Sequence, residues 1–398
     1  MMRVLLILDS VEFPAAANPQ LGRRLAATLA EMGHGVHLLE LWDGQTPPPA
    51  AAGVPQHTLA FPDERLMNRA LENGAKQGSP LPLRLARLAA HPTAVAAAFR
   101  QLVLKRPRRT VDTAKELSRL DRQFHFDAIC AVAAPYRSAF ALEQLATPAK
   151  KLLWQMDPYA ANRTYQAPGS WKRESELLQQ MDRVFIMPQA QADFAPGAPL
   201  AVHRDKMRVL GLPCLLPAPE VPPHEGLRCT FVGTMAPGIR SPETALALFA
   251  ALDDPAVTLT LAGPGLDKFP ADNARRVLGS RLVTPGAVPT TEGRRLQNEA
   301  DVLVNLGNRM ANQLPSKVYE YLGSGKPILH LAANREDPVL PLLARYPLAL
   351  VRFDADPAPV ARWLSEVRGR RLPYETAAAL YPEAAPRRVA EDFLNGIS

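Results

Sequence analysis

Cysteine is scarce in this chain. Its 398 residues include only three cysteines, Cys130, Cys214 and Cys229, which are widely spaced and form no C-x-x-C pair. No H-x-E or H-E-x-x-H pattern occurs either. An odd number of isolated cysteines argues against a disulfide framework and a structural zinc site, and it is typical of a reducing compartment. We therefore expect no structural zinc site.

Long apolar runs are also missing. No stretch of eighteen apolar residues occurs, so no segment is expected to cross a membrane. The apolar part of the opening MMRVLLILDS is too short for a secretory signal. The hydrophobic fraction of 47% and the charged fraction of 21% are those of an ordinary soluble protein. The composition and length together predict a cytosolic protein of two domains.

Acidic residues are absent between Glu72 and Asp112, although the net charge of the whole chain is only +7. The basic residues of this interval that we consider together are Arg84, Arg87, Arg100, Lys105, Arg106, Arg108 and Arg109. Such a block attracts polyanions, and an anionic inner membrane face is the partner we expect; a solvated face without a partner is equally compatible. Nucleic acid is not expected, because Phe99 is the only aromatic residue among these basic ones.

Apolar runs alternate with helical periodicities along the chain, as in doubly wound α/β sheets. In the first half, the pattern predicts strands at 3–8, 36–41, 126–133, 151–155 and 183–187. It predicts helices at 21–32, 64–76, 84–104, 112–123 and 171–181, and a loop at 44–62. In the second half, the predicted strands are 228–233, 257–262, 281–283, 301–306 and 327–331, and the helices are 242–252, 271–278, 292–299 and 315–322.

The two halves are separated by GLPCLLPAPEVPPHEG at 211–226, whose prolines and lack of periodicity indicate a linker. We therefore predict an N-terminal domain over 1–210, a hinge over 211–227 and a second domain over 228–375. The remaining 376–398 read as a helical segment able to pack back on the first domain.

The most informative segment is DVLVNLGNRMANQLPSKVYEYLGSGKPILHL, residues 301–331. It predicts a buried strand, a polar loop, a helix opening at Pro315, a turn and a second strand. In a parallel sheet, such a loop and helix start lie at the edge where phosphorylated ligands bind. The polar residues expected to face the ligand are Asn308, Asn312, Ser316, Lys317 and Glu320.

Lys317 and Glu320 are three positions apart and share one helix face, offset by roughly 4.5 Å along the axis. That offset suits a diphosphate contacted by the lysine and a ribose contacted by the carboxylate. A surface ion pair after a helix cap would show the same spacing. The neighbouring polar loop favours the ligand site.

Several segments carry a family resemblance. NQLPSKVYEYLGSGKPIL resembles the nucleotide-sugar-binding helix of GT-B glycosyltransferases, especially family-four-like enzymes of bacterial surface polysaccharide synthesis. CTFVGTMAPGIRSPETALALF resembles the Gly-rich first strand, loop and helix of their C-terminal domain, and LTLAGPG the second strand. VTPGAVPTTEGRRLQNEADVLVNL resembles their base-binding strand and the following helix. The likeness covers about residues 228–331, and LLWQMDPYAAN resembles a segment of some members.

The resemblance implies two doubly wound Rossmann-like α/β domains that face a central cleft, with the donor on the second domain and the acceptor on the first. The positions that match the family's donor site are Gly233, Thr234 and Arg240 in the loop that closes on the phosphates, Gly286 and Val288 beside the base, Ser316 and Lys317 at the pyrophosphate, and Glu320 at the ribose. Where the family usually has a sugar-contacting Glu, this chain has Asn312. The first loop, SVEFPAAANPQLG, also departs from the usual Gly-rich turn.

On the first domain, Asp157 in WQMDPY is the candidate to deprotonate an acceptor hydroxyl, or else to cap the following turn. Trp154 and Tyr159 beside it suit either a sugar face or the core. The resemblance implies transfer of a hexose from a nucleoside-diphosphate sugar, first of all a UDP-sugar, to a hydroxyl of a glycan or lipid-linked acceptor, with no metal and no cofactor. Two alternatives remain open: a catalytically silent GT-B partner protein and a nucleotide-sugar epimerase.

Overall fold

The computed structural model describes residues 1–10, 17–42, 48, 50–51, 53–62, 86, 89–93, 95–96, 108–161, 167–220, 223–309 and 317–397. The chain divides into two compact units, Met1–Pro213 with Pro386–Ser398, and Cys214–Ala385. Each unit contains a parallel sheet with helices, as in a Rossmann-like domain. This confirms the predicted α/β class. Among the described residues, no helix has the length and hydropathy that a membrane span requires.

The sheet of the first unit has the strand order β3-β2-β1-β4-β5-β6-β7 within the described residues. Its strands are β1 (Arg3–Asp9), β2 (Gly35–Trp42), β3 (Gln56–Ala60), β4 (Ala128–Ala133), β5 (Lys150–Gln155), β6 (Arg183–Ile186) and β7 (Met207–Val209). Its first helices are α1 (Ala17–Glu31), α2 (Arg108–Phe124), α3 (Arg137–Glu143) and α4 (Ser170–Gln179). The central strand β4 is buried throughout, as expected for an apolar run in a parallel sheet.

The sheet of the second unit has the order β10-β9-β8-β11-β12-β13 in the part that the structure describes. Its strands are β8 (Leu227–Val232), β9 (Val257–Ala262), β10 (Leu282–Gly286), β11 (Val302–Leu306), β12 (Ile328–Leu331) and β13 (Ala349–Arg352). Its helices are α5 (Glu243–Ala251), α6 (Asp272–Leu278), α7 (Thr290–Glu299), α8 (Lys317–Gly323), α9 (Leu340–Leu343), α10 (Pro357–Val367) and α11 (Tyr374–Leu380). The order reverses between β8 and β11, which makes their carboxyl ends the switch point where α/β sheets bind ligands.

The predicted loop over 44–62 was wrong in part, because Gln56–Ala60 forms strand β3. Among the described residues this strand lies at the sheet edge and pairs with β2 alone. Most of its residues are only half-buried, so it needs no continuous apolar run. Its sequence QHTLA therefore carries little strand signal.

The division between the units falls after Pro213 and after Ala385. Leu215 N donates to Ala384 O at 3.0 Å, so this part of the proline-rich segment packs within the second unit. The last helix, α12 (Pro386–Ile397), belongs to the first unit, where the Phe393 ring packs 5.0 Å from that of Phe185. Whether residues 211–227 act as a hinge stays a prediction.

Candidate functional site

Glycine ends four neighbouring strands of the second sheet. These residues are Gly286 on β10, Gly263 after β9, Gly233 after β8 and Gly307 after β11. Gly263 has a φ of +137°, and a Cβ there would lie 1.9 Å from the carbonyl oxygen of Gly233. The neighbouring chains therefore approach closely at this end of the sheet, which is where parallel α/β sheets usually bind ligands.

Lys317 opens helix α8 and reaches the end of β8, where its Nζ donates to Val232 O at 2.8 Å. Burial lowers the pKa of Lys317, Glu320 opposes that shift, and Arg240 lowers it further. The ammonium group is thus partly desolvated and lies near a second cation. Both conditions favour binding of an anion.

Arg240 lies in the loop after β8, which closes through a bridge between Ala236 and Arg240. Its Nε and Nη2 donate to Asn308 Oδ1 at 3.1 and 2.8 Å. Its Nη1 lies 3.4 Å from the position that a Cβ on Gly233 would occupy. Arg240, Asn308 and Lys317, all predicted from the sequence, therefore meet at the carboxyl ends of β8 and β11.

Glu320 lines a cavity of about 260 Å³ between α7, α8 and the segment 217–219. The other lining residues on these two helices are Arg294, Gln297, Asn298 and Tyr321, and Ser324 directly follows α8. Lys317 is not part of the lining, and the cavity reaches Leu303 at the start of β11. Glu320 therefore faces the cavity between α7 and α8, whereas Lys317 faces the carboxyl end of β8. A second cavity, of about 340 Å³, lies at the opposite sheet edge between α5 and α10, and the described residues that line it include no predicted site residue.

The remaining predicted donor-site residues fall in two groups. Thr234 and Gly286 are exposed and Val288 is half-buried, at the carboxyl ends of β8 and β10. Asn312 and Ser316 lie outside the described residues. A further finding concerns metals: no cluster of three or more His, Cys, Asp or Glu suited to a metal ion occurs among the described residues.

Asp157 lies in the first unit, in a loop held by buried hydrogen bonds. The hydroxyl of Tyr136 donates to Asp157 O at 2.6 Å. The buried Glu174 carboxylate accepts from Ala160 N at 2.8 Å and from Gln155 Nε2. Partial desolvation raises the pKa of the exposed Asp157 carboxyl, and a hydrogen bond with the Asn18 side chain opposes that shift. The loop thus presents Asp157 in a defined position.

Burial decides an alternative that the sequence left open for Trp154, and it corrects the interpretation of Arg109. Trp154 is fully buried in the core, so stacking on a sugar is excluded for it. Arg109, counted in the basic block, is also buried; its guanidinium lies 3.5 Å from Asp9 Oδ2 and 5.0 Å from the centre of the Phe61 ring. It is therefore a structural cation of the first unit. Most of the other residues of that block lie outside the described residues.

Three polar residues near the site had no sequence support: His330, Asn334 and Asp337. Asn334 Nδ2 donates to Asn308 O at 3.0 Å. Asp337 Oδ2 lies 3.2 Å from His330 Nε2, and both residues are buried. Asn334 and Asp337 follow β12, which is where polar residues of a parallel sheet reach the ligand edge. Their position directly after a predicted strand could therefore have indicated Asn334 and Asp337 from the sequence.

No protein-family model matches the chain, and no curated protein matches it significantly in sequence. A glycosyltransferase from Rickettsia africae has a TM-score of 0.55 and 13% identity, over 100% of this chain and 96% of its own. A variant of S. aureus TarM, in complex with fondaparinux, alpha-GlcNAc-glycerol and UDP, has a TM-score of 0.55 and 10% identity, over 100% of both chains. A UDP-GlcNAc 2-epimerase from Neisseria meningitidis bound to UDP-GlcNAc has a TM-score of 0.51 and 10% identity, over 99% of both. The chain therefore has the GT-B fold of glycosyltransferases, and the epimerase chain has a similar fold.

Proposed function

We propose that the chain is a glycosyltransferase, of the family-four-like type, that moves a hexose from a nucleoside-diphosphate sugar to a hydroxyl of a glycan or lipid-linked acceptor. One observation carries the proposal: Lys317 reaches Val232 O and Arg240 reaches Gly233, side by side at the switch point of a Rossmann-like sheet. Burial lowers the pKa of Lys317, Glu320 raises it, and Arg240 lowers it by a smaller amount, so the two cations repel each other beside a carboxylate. A diphosphate would relieve that repulsion.

The proposed roles follow from the charges. Negative charge grows on the departing diphosphate in the transition state, and Lys317 and Arg240 stabilise it. Glu320 binds the ribose, and the backbone at Gly286 and Val288 meets the base. The other donor-site residues in the proposal are Gly233, Thr234, Asn308, Asn312 and Ser316. In the first unit, Asp157 takes the proton of the acceptor hydroxyl, for which the raised pKa of its carboxyl is suited.

A binding experiment tests the donor site. Titration calorimetry with UDP, GDP, ADP and inorganic pyrophosphate should show one preferred nucleotide and measurable pyrophosphate binding. Lys317→Ala should weaken both, whereas Lys268→Ala, at an exposed position of the same unit, should weaken neither. Glu320→Gln should weaken the nucleotide but leave pyrophosphate unchanged, because pyrophosphate has no ribose. Normal nucleotide binding by Lys317→Ala would exclude this site.

Product analysis then separates the functions that share the fold. The proposed transferase should release UDP and form a new glycoside only when a hydroxyl acceptor is present. Interconversion of UDP-sugars without any acceptor would identify an epimerase. Nucleotide binding without turnover of any sugar nucleotide would identify a silent partner protein. Either of the last two results would replace the proposed activity.

A further inference from the structure

Asp337 is a buried acid to which the proposed function assigns no role. It follows β12, is 2% exposed, and its Oδ2 lies 3.2 Å from Nε2 of His330. The Nδ1 of His330 lies 2.9 Å from the amide nitrogen of Asn305, its register partner on β11. Within the described residues neither Nε2 nor Oδ2 has a hydrogen-bond partner, so the two buried groups lie close together without a hydrogen bond between them. Burying such a pair is costly, and apolar residues would stabilise the sheet at least as well.

The carboxylate of Asp337 packs against the main chain where β11 ends. A Cβ on Gly307 would lie 2.7 Å from Asp337 Oδ2, so glycine leaves the room that the carboxylate needs. Asp337 Oδ1 accepts from Val339 N at 2.9 Å, and Asp337 O accepts from Leu340 N at 3.0 Å. These bonds fix the acid at the start of α9. The turn that carries Asn308, the next residue after Gly307, is therefore packed against a fixed group.

Arg240 is connected through Asn308 to the loop between β12 and α9, which contains Asn334 and Asp337. Asn308 Oδ1 accepts from Arg240 Nε and Nη2, and Asn308 O accepts from Asn334 Nδ2 at 3.0 Å. Burial lowers the pKa of Arg240, while Tyr321 and Asp337 oppose that shift. The loop between β12 and α9 thus does two things: Asn334 anchors Asn308, which accepts from the guanidinium of Arg240, and Asp337 supplies a negative charge near that guanidinium.

We infer that Asp337, paired with His330, is the positioning residue for Arg240 and keeps its guanidinium at the Gly233 end of β8. The effect on turnover rests on the proposed function, whereas the position of Arg240 is a property of the folded unit. Asp337→Asn keeps the side-chain shape and the bond from Val339 but removes the charge. It should lower kcat about tenfold and change KM for the donor little, because Arg240 acts mainly on the leaving diphosphate.

The position of Arg240 can be measured without any assay of turnover. In the full chain labelled with ¹⁵N-arginine, the Nε–H signal of Arg240 is identified by its loss in Arg240→Lys. Asp337→Asn should accelerate its exchange with water at least about tenfold. The matched control is Asp301→Asn. Asp301 also lies close to a histidine, with Oδ1 3.2 Å from His224 Nε2, but it precedes β11 and so lies at the amino ends of β8 and β11, away from Arg240. An unchanged rate in Asp337→Asn, or equal acceleration in the control, overturns the inference.

His330→Asn removes the partner of Asp337 and leaves the acid in place, so it decides the question if Asp337→Asn does not fold. It should also accelerate exchange at Arg240, and an unchanged rate overturns the inference.

A kinetic cycle adds a readout that a merely structural role would not move. The double variant Asp337→Asn/Arg240→Lys should lose no more kcat than Arg240→Lys alone, because Asp337 acts through Arg240. A loss in the double variant equal to the product of the two single losses overturns the inference. A wild-type protein that binds no diphosphate refutes the proposed function instead, and the exchange measurement still decides the role of Asp337.

Discussion

Lys326, just before β12, allows a quantitative test of how burial acts in the second unit. Its Nζ donates to the carbonyls of Gln297, Asn298 and Ala300 at 2.9, 2.5 and 2.5 Å, at the end of α7. The residue is 1% exposed, and burial lowers its pKa to about 7, with the charge of Arg371 acting in the same direction. Replacing it by methionine keeps the apolar stem and removes the titrating group.

The linkage between protons and folding sets the expected size of the effect. The pKa of Lys326 falls from 10.5 in the unfolded chain to about 7 in the folded one. Between these values the unfolded chain binds a proton that the folded chain does not. The free energy of unfolding should therefore rise with pH, by about 1.4 kcal/mol per pH unit and about 5 kcal/mol over the whole window. Lys326→Met lacks this contribution at every pH.

Urea unfolding of the full chain, followed by circular dichroism, measures the difference between wild type and Lys326→Met. From about pH 7.5 to about pH 9.5 that difference should change by about 2.7 kcal/mol in favour of the wild type. Lys268→Met, at an exposed position, should show no such trend. A difference that stays constant with pH would refute the reasoning. It would mean that the three carbonyl acceptors and the dipole of α7 keep the ammonium form charged despite burial.

Three further predictions concern other parts of the molecule. Pyrophosphate affinity, measured by calorimetry, should fall as pH rises through the lowered pKa of Lys317, and Lys317→Met should bind weakly at every pH; a pH-independent wild type would contradict this. Gly263→Ala should lower the urea midpoint more than Gly279→Ala, because both positions have a positive φ that strains alanine but only the Cβ at 263 would meet a carbonyl, at 1.9 Å; equal effects would contradict the clash. Glu174→Gln should accelerate amide exchange at Ala160 about fivefold, since the charged acceptor is lost, and unchanged exchange would show that the charge is dispensable.

The local pattern of the sequence was sufficient to predict the class of fold and the segment that carries the candidate site. The strands β4 and β11 are buried on both faces, and such burial favours runs of apolar residues, which Asn305 alone interrupts in β11. The residue types of the proposed donor site, such as those of Lys317 and Arg240, could also be predicted. Phosphate chemistry restricts them to cations and glycines next to strand ends.

Which of the predicted site residues contact each other was decided by the tertiary structure alone. Arg240 and Asn308 are 68 positions apart, and they contact each other only because β11 returns to pair with β8. The burial of Trp154 and the packing of Asp337 against Gly307 depend in the same way on strand order and register. Local periodicity reports which face of an element is apolar. It contains no information about the partner that covers that face, because this choice is made by contacts between distant segments.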